Sequence, residues 1–185
     1  MSTPLPLPAP GALGVGSFSQ ASRQKRRWDA ILTCEDPRER QTLRVSDRPQ
    51  LVLAFEDCDD PSLGYAVATR EQVEQALTFM REHREGSLLV HCMHGVGRSA
   101  ALALADLADR LGPGNEEEAV SSLLALRPGA TPNLIAVAHA DDLLGRGGAL
   151  VRALQSSEAR NPEKITARDR RAQYARDNPS LYARA

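Results

Sequence analysis

The chain has 185 residues, 42% of them hydrophobic, and a formal net charge of −1. This length suits one domain, and the apolar fraction is large enough to build a core, so the chain as a whole is not disordered. The near balance of 23 basic and 24 acidic residues argues against a nucleic-acid partner, which would favour a basic excess. Because no apolar run approaches the length of a membrane span, we expect no membrane partner.

Along the chain, the first predicted elements are an extension and two strands. Residues 1–27 are rich in Pro, Gly and Ser, and their positive charges follow the weakly apolar part, whereas a signal peptide has them before it. We therefore predict a flexible N-terminal extension over 1–27. Residues 29–34 predict a short strand, and the near-continuous apolar run 50–55 predicts a strand buried on both faces.

The middle of the chain predicts helices alternating with a further strand. Thr69 and Gln72 match a capping box at the start of a helix that ends near Gly86. Residues 87–91 predict a buried strand, and further helices are predicted over 99–111, before 127, from Asn133 to about 145, and over 149–154. This pattern indicates an α/β fold: a single domain with a central, mostly parallel sheet of about four to five strands and helices on both faces.

The predicted domain covers residues 28–155 and is followed by a charged C-terminal tail over 156–185. This tail is expected to be partly helical or loose, and its preferred interpretation is a solvated segment; docking or nucleic-acid binding is the alternative. Its basic residues are Arg160, Lys164, Arg168, Arg170, Arg171, Arg176 and Arg184.

The most informative segment is "LVHCMHGVGRSAAL", residues 89–102. Cys92 directly follows a predicted strand, and Arg98 stands just before the first turn of a predicted helix. A short loop that leads into a helix N-terminus points backbone N–H groups inward, and such a nest binds a tetrahedral oxyanion. Arg98 can fork onto two oxygens of that anion. The predicted phosphate-binding loop consists of Met93, His94, Gly95, Val96 and Gly97, with Arg98.

The same N–H groups and helix dipole favour the thiolate form of Cys92. The hydroxyl of Ser99 is close enough in sequence to hydrogen-bond the sulfur. A thiolate beneath a bound phosphate is placed for in-line attack on phosphorus. The residues themselves therefore point to phosphoryl transfer through a cysteine.

The run "HCMHGVGRS" resembles the signature of the cysteine-dependent protein tyrosine and dual-specificity phosphatases. The resemblance extends over about residues 28–155: "LVLAFEDCDDP" resembles the acid-loop strand of that family, and "RPGATPNLIAVAHADDLLG" resembles its Arg-Pro…Pro-Asn segment. The chain as a whole is most similar to small bacterial tyrosine-phosphatase-like proteins. The implied fold is that of the cysteine phosphatases.

The resemblance implies a role for several residues. Cys92 would be the nucleophile and form a phosphocysteine, Arg98 would bind the phosphate and the transition state, and Ser99 would ease departure of the thiolate. His91 would orient the loop. The implied enzyme is a phosphoric monoester hydrolase with no metal and no cofactor, acting on a phosphoprotein or a small phosphomonoester. Phosphotyrosine is the expected substrate, with phosphoserine and phosphothreonine also admitted.

A general acid is needed to protonate the leaving alkoxide or phenoxide. The segment after the strand 50–55 offers Glu56, Asp57, Asp59 and Asp60. Asp57 is the preferred candidate because it lies directly past the strand, followed by Asp60 and then Asp59. The alternative is that this acidic cluster only solvates a turn.

Other residues near these motifs have less certain roles, and their alternatives stay open. His94 either lines the rim of the pocket or points away from the phosphate. Asn133 and Arg127 are interpreted as supports, the first a helix cap and the second a hydrogen-bonding residue. Cys58 and Cys34 are interpreted as bystanders. The alternative is that Cys58, or less readily Cys34, forms a reversible disulfide with Cys92.

The cysteine content also bears on location. An odd set of cysteines without a CxxC pair predicts neither a disulfide framework nor a zinc site. We expect a cytoplasmic protein, since a reducing compartment keeps Cys92 as a thiol. The oligomeric state is not predicted.

Two other functions stay open. One is another thiolate enzyme with an anion loop, such as an arsenate reductase or a sulfurtransferase. The other is a catalytically inactive phosphate-binding module, which would lack the nucleophile, the arginine or the acid.

Overall fold

The computed structural model of the chain describes residues 4–38, 42–178 and 180. Within these residues, one sheet is formed by the strands β1 Leu13–Ser17, β2 Ala30–Glu35, β3 Gln50–Ala54 and β4 Leu88–Cys92. The strands lie in the order β1-β4-β2-β3, and every neighbouring pair is parallel. The carboxyl ends of all strands therefore meet at one edge of the sheet, where α/β proteins bind ligands. The predicted four- to five-stranded parallel sheet is confirmed.

Helices and loops cover both faces of this sheet. The larger core lies on one face, where Leu32, Leu88 and Val90 pack against residues of several helices. On the other face Ile31 and Leu89 pack with Ala21 of a short helix. The alternation of these neighbours along each strand follows from the two-residue period of β structure. The helices are α1 Phe18–Gln24, α2 Arg70–Glu82, α3 Arg98–Leu111, α4 Glu116–Leu126, α5 Leu134–Leu143, α6 Ala149–Ala159 and α7 Pro162–Asp177.

The sequence located several element boundaries correctly. The capping box of Thr69 and Gln72 is present at the start of α2, and Asn133 caps α5 by accepting a hydrogen bond from the N–H of Ala136. In contrast, the prediction that residues 50–55 form a strand buried on both faces is wrong. β3 is the edge strand next to β2, and Ala54 at its end is exposed, because only one of its sides has a pairing partner.

The prediction that residues 1–27 form a flexible extension is wrong for the part from Leu13 onward. β1 pairs with the central strand β4, and Ser17 forms a capping box with Gln20 that starts α1. The glycines of β1 permit close packing: a Cβ on Gly14 would lie 2.4 Å from a ring carbon of Trp28. The glycines that indicated a flexible segment in the sequence therefore allow close packing of β1 instead. Residues 1–3 lie outside the described part of the chain.

In its described residues, the tail 156–185 is exposed over most of the last helix, as expected of a solvated segment, but one face of it packs against the domain. It contains the end of α6 and all of α7, and Lys164 of α7 is buried and donates to the carbonyl of Ala130. Arg168 forms ion pairs with Glu158 and with Asp59. Asp59 belongs to the acidic segment, residues 56–60, that follows β3. Some of the charges that suggested solvation, those of Glu158, Arg168 and Arg171, are thus paired within the fold. Arg184 lies outside the described residues.

Candidate active site

The anion loop, residues 93–97, joins the end of β4 to the start of α3. Cys92 is the last residue of the strand and is 2% exposed, and Arg98 is the first residue of the helix and is 3% exposed. The strand–loop–helix arrangement predicted from the sequence is therefore present. It lies at the carboxyl edge of the sheet, between strands β1 and β2 that flank β4 on either side.

The peptide carbonyls of the anion loop are turned outward by hydrogen bonds from several elements. The N–H of Phe18 in α1 donates to the carbonyl of Met93 at 3.2 Å. On the opposite side, the N–H of Thr131 donates to the carbonyl of Val96 at 2.8 Å, and that of Asn133 to the carbonyl of Gly97 at 3.2 Å. The loop is thus held from both sides by backbone groups.

Arg127 holds the two remaining carbonyls of the loop. Its Nε donates to the carbonyl of Gly95 at 2.9 Å and its Nη2 to the carbonyl of His94 at 3.1 Å. This agrees with the hydrogen-bonding support expected of Arg127. Because each carbonyl from Met93 to Gly97 faces outward, the peptide N–H groups are directed toward the centre of the loop, as an oxyanion site requires.

Gly95 is required both by its backbone torsion and by its packing. Its φ is +73°, and a Cβ there would lie 2.5 Å from the carbonyl carbon of Gly16 and 2.7 Å from the nitrogen of Ser17. Both are backbone atoms of β1, so the first strand of the chain forms the outer wall of the anion loop. An L side chain at position 95 would be strained and would displace that strand.

Among the described residues, the sulfur of Cys92 has two hydrogen-bonding neighbours. The N–H of Gly95 donates to Sγ at 3.2 Å, and the hydroxyl of Ser99 lies 3.2 Å from the same sulfur. Donors at this position stabilise negative charge on sulfur, both in the resting thiolate and when the thiolate leaves phosphorus. The predicted proximity of Ser99 and Cys92 is present in the structure.

Arg98 is held in place by an acidic residue that the sequence analysis did not single out. Its Nη1 donates to Asp36 Oδ1 at 3.0 Å and to the carbonyl of Phe55 at 2.8 Å, and its Nη2 donates to Asp36 Oδ2 at 3.3 Å. Nε of Arg98 is buried and has no hydrogen-bond partner among the described residues. The sequence feature that could have identified Asp36 is its position directly after β2. The carboxyl ends of β2 and β4 meet at the same edge of the sheet, so a residue there lies near the anion loop.

Asp57 lies against the anion loop. A Cβ built on Gly97 would lie 1.9 Å from Asp57 Oδ2, so this carboxylate oxygen occupies the space that the glycine leaves open. The other oxygen, Oδ1, accepts a hydrogen bond from Asn133 Nδ2 at 3.2 Å. The preferred acid candidate is therefore next to the loop, and Asn133 supports it as well as capping α5.

The other two acid candidates have different partners. Asp59 accepts a hydrogen bond from the N–H of Leu134 and pairs with Arg168 and Arg171. Asp60 accepts from the N–H and the hydroxyl of Ser62, and these bonds lower its pKa. Both carboxylates thus hold local structure, and among the three aspartates only Asp57 lines the cavity that contains Cys92.

His91 is buried beside Cys92 and pairs with the neighbouring strand. Its Nε2 lies 2.9 Å from the hydroxyl of Thr33 in β2. Burial lowers the pKa of His91 from 6.5 to about 4, because desolvation penalises the imidazolium. His91 is thus neutral at physiological pH and joins β4 to β2 directly before Cys92.

The cavity above Cys92 and Arg98 has a volume of about 480 Å³. Asp57 lines one wall, and α7 supplies another wall through Arg171 and Tyr174. The sequence analysis assigned these last two residues no role, because they lie far along the chain in a segment that was interpreted as solvated.

His94 and the remaining cysteines have clear positions in the structure. His94 is exposed and lines the same cavity, which favours the rim interpretation over a side chain that points away. Cys34 shares a small crevice with Cys92, whereas the thiol of Cys58 donates to the carbonyl of Asp60. All three cysteines are free and buried. Of the two redox partners considered, the structure thus brings Cys34, not Cys58, beside Cys92.

No family model matches the sequence, and no curated protein matches it by similarity. Solved structures do match. The structure of DUSP15 has a TM-score of 0.58 at 22% identity and covers 80% of this chain and 92% of that chain. A mouse protein described as a dual-specificity phosphatase and complexed with zinc tungstate has a TM-score of 0.57 at 25% identity, covering 83% and 96%. Human DUSP28 has a TM-score of 0.55 at 23% identity, covering 83% and 97%.

The chain has the fold of the cysteine-dependent tyrosine and dual-specificity phosphatases. The resemblance carried by "HCMHGVGRS" is therefore confirmed at the level of fold, and the structural neighbours of the chain are phosphatases. That its relatives are bacterial stays a prediction. In the part of the chain that the structure describes, no helix of this phosphatase fold is long and apolar enough to cross a membrane.

Proposed function

We propose that the protein is a phosphatase that hydrolyses phosphomonoesters on proteins, phosphotyrosine first, through a phosphocysteine intermediate. The observation that carries the proposal is the position of the Asp57 carboxylate against Gly97, inside the loop that begins at Cys92. A nucleophile, an oxyanion nest and a proton donor thereby surround one cavity, as phosphate-ester hydrolysis requires. Phosphoserine and phosphothreonine are admitted as secondary substrates.

The first step is an exchange of bonds at phosphorus. The Cys92 thiolate attacks the phosphorus atom, an S–P bond forms, and the bond between phosphorus and the ester oxygen breaks. Asp57 gives its proton to that oxygen, so the substrate leaves as a neutral alcohol or phenol. The loop N–H groups and Arg98 stabilise the charge on the transferring phosphoryl group.

The second step returns the enzyme to its initial state. A water molecule attacks the phosphocysteine and gives a proton to the Asp57 carboxylate, while the S–P bond breaks and inorganic phosphate forms. The electron pair returns to sulfur as a thiolate, which the Ser99 hydroxyl and the Gly95 N–H stabilise. This scheme uses side chains and backbone N–H groups of the chain together with one water molecule.

We further propose that the protein works in a reducing setting such as the cytoplasm. The scheme needs Cys92 as a free thiolate, and oxidation to a disulfide or a sulfenic acid removes the nucleophile. The natural substrate in this setting is a phosphoprotein, and small phosphomonoesters serve as model substrates.

The proposed activity is tested by hydrolysis of p-nitrophenyl phosphate in EDTA. We expect turnover by the wild type, a burst of p-nitrophenolate equal to the enzyme present, and inhibition by vanadate. Cys92→Ser should abolish turnover and still bind inorganic phosphate, since the loop and Arg98 remain. Cys58→Ser is the matched control, because that cysteine is buried outside the cavity, and it should retain activity.

The opposite results separate the alternatives. A folded, reduced wild type that binds phosphate without turnover would support an inactive phosphate-binding module. Reduction of arsenate by the wild type, without ester hydrolysis, would support the other thiolate chemistry. Comparison of phosphotyrosine and phosphothreonine peptides at equal concentration measures the substrate preference.

A further inference from the structure

The C-terminal helix α7 contacts the acidic segment through Arg171. Its Nη2 donates to Asp59 Oδ2 at 2.7 Å, and its Nη1 donates to the carbonyl of Thr131 at 2.8 Å. The same Nη1 lies 3.6 Å from Asp57 Oδ1. One guanidinium therefore joins the acid candidate, its neighbouring aspartate and the segment that holds the anion loop at Val96.

Two further contacts fix the acidic segment to the end of the chain. The phenol of Tyr65 donates to the carbonyl of Ala175 at 3.1 Å, and the hydroxyl of Ser180 donates to the carboxylate of Glu56 at 2.8 Å. The acidic segment is thus held from its two sides by residues of α7 and beyond. Arg171 is central among these contacts, since it alone of them reaches Asp57.

The two oxygens of Asp57 have different surroundings. Oδ1 accepts from Asn133 Nδ2 at 3.2 Å and faces Arg171, whereas Oδ2 lies over Gly97. A positive group and an amide donor at Oδ1 disfavour a proton on that oxygen. Oδ2, the oxygen next to the anion loop, is therefore the one placed to exchange a proton with a bound substrate.

We propose that Arg171 is a positioning residue for the general acid, which fixes Asp57 so that Oδ2 carries its proton toward the leaving-group oxygen. This inference rests on the proposed function. The side chain of Arg171 is 17% exposed, so its pairing with Asp57 and Asp59 is shielded from solvent, and the acidic neighbours raise its pKa against the effect of burial. The helix α7 thereby completes the active site.

The test compares leaving groups, since a general acid matters most when the leaving group is poor. We expect Arg171→Gln to lower kcat for phenyl phosphate by about 10- to 100-fold, the range that misplacement of a catalytic group causes. For an activated ester such as p-nitrophenyl phosphate the loss should be several-fold smaller. In an Asp57→Asn background, Arg171→Gln should cause no further loss with either substrate.

The matched control is Arg168→Gln. Arg168 lies on the same helix and also pairs with Asp59, but among the described residues its other contacts are to Glu158 and the carbonyl of Pro132 and not to Asp57. We expect this variant to lose stability to a similar extent without a change in the leaving-group dependence. Arg171→Lys keeps the charge and the fold, and it should restore part of the activity on phenyl phosphate.

Each outcome is decisive for one of the two proposals. An inactive wild type would overturn the proposed function itself. An active wild type with equal losses for both substrates in Arg171→Gln, or with further losses in the Asp57→Asn background, would show that Arg171 only supports the fold. If Arg171→Gln does not fold, the comparison is made with Arg171→Lys, for which we expect a smaller loss that is still greater for phenyl phosphate than for p-nitrophenyl phosphate. Losses of equal size for the two esters in that variant would overturn the inference.

Discussion

Asp36 and Arg98 form an ion pair in which both carboxylate oxygens contact the guanidinium, Oδ1 at 3.0 Å from Nη1 and Oδ2 at 3.3 Å from Nη2. The arginine side chain is 4% exposed and the aspartate side chain is 21% exposed. The pair thus compensates a buried charge when no anion occupies the loop. It also orients the guanidinium, because Asp36 engages Nη1 and Nη2, and Nε is left to donate to a bound oxyanion.

We therefore expect Asp36→Ala to lower the free energy of unfolding by about 3 kcal/mol, because removal of one partner leaves a buried charge uncompensated. Inorganic phosphate should restore stability to this variant more than it stabilises the wild type, since the anion replaces the carboxylate. Urea denaturation with and without phosphate measures both effects. Asp47→Ala is the control, because Asp47 is 60% exposed in its pair with Arg48 and its loss should leave stability nearly unchanged. Equal phosphate stabilisation of Asp36→Ala and wild type would contradict this account.

Replacement of Arg98 by lysine should remove function even though the positive charge is kept. A lysine ammonium is a point charge and cannot hold Asp36, the carbonyl of Phe55 and an oxyanion with a planar fork. We expect kcat/KM for p-nitrophenyl phosphate to fall by about 10²- to 10³-fold, with weaker binding of inorganic phosphate. Arg81→Lys, in a half-exposed pair with Asp109, should leave both quantities unchanged. Wild-type phosphate affinity in Arg98→Lys would show that the fork is not needed.

The acid assignment predicts different behaviour for neighbouring aspartates. Asp57→Asn should slow hydrolysis of phenyl phosphate by about 10²- to 10⁴-fold and have a smaller effect on esters with good leaving groups. Asp60→Asn should retain near-normal kinetics, because Asp60 pairs with Ser62 instead of facing the cavity. Steady-state kinetics over a series of aryl phosphates provides the measurement. The reverse pattern in the two variants would transfer the acid role to Asp60.

Gly97→Ala should reproduce the Asp57→Asn behaviour without removing the carboxylate. The added methyl group would lie 1.9 Å from Asp57 Oδ2, so the flexible end of the aspartate must move away from the loop. We expect a folded protein with a steep dependence on leaving group, measured with the same aryl phosphates. Gly129→Ala is the control, since no heavy atom lies within 4 Å of a Cβ there. A leaving-group dependence like that of the wild type in Gly97→Ala would place the acid elsewhere.

The neutral His91 predicts a pH dependence of stability. Its pKa in the folded state is about 4, against 6.5 for an ordinary histidine, so only the unfolded chain binds the proton between these values. The contribution of neutral His91 to the free energy of unfolding is complete above about pH 6.5 and is lost as the pH falls to about 4. It amounts to about 3 kcal/mol, at 1.4 kcal/mol per pH unit. Urea denaturation across this range should give a smaller slope for His91→Gln than for wild type. Identical slopes would mean that His91 is protonated in the folded protein.

The positions of Cys92 and the anion loop were predictable because their signal is local. Cys92, the loop glycines, Arg98 and Ser99 lie within one strand–loop–helix, so sequence spacing fixes their mutual position. Asn133 and Thr69 were also identified from local capping patterns. The parallel sheet followed from the alternation of apolar runs with helical patterns.

The remaining parts of the site depend on contacts between distant segments. Asp36 and Arg171 reach the cavity from opposite ends of the chain, and no pattern in their own neighbourhoods indicates a partner. The glycines of β1 permit close contact with Trp28 and the anion loop, yet in sequence they resemble a disordered segment. The charges of α7 have the composition of a solvated helix, and only the tertiary fold shows that Arg168 and Arg171 are paired.

The pairing of Leu13 with Leu88 has a consequence for how the chain folds. The anion loop takes support from Phe18 of α1 and Asn133 at the start of α5, and the acid beside it is contacted by Arg171 of α7. Contacts of such sequence separation make loop closure costly and slow the search for the native state. During synthesis, a sheet can form before α7 has emerged, but the acid is then without one of its supports. Recovery of hydrolysis of poor leaving groups should therefore be the last step of refolding, after the recovery of secondary structure.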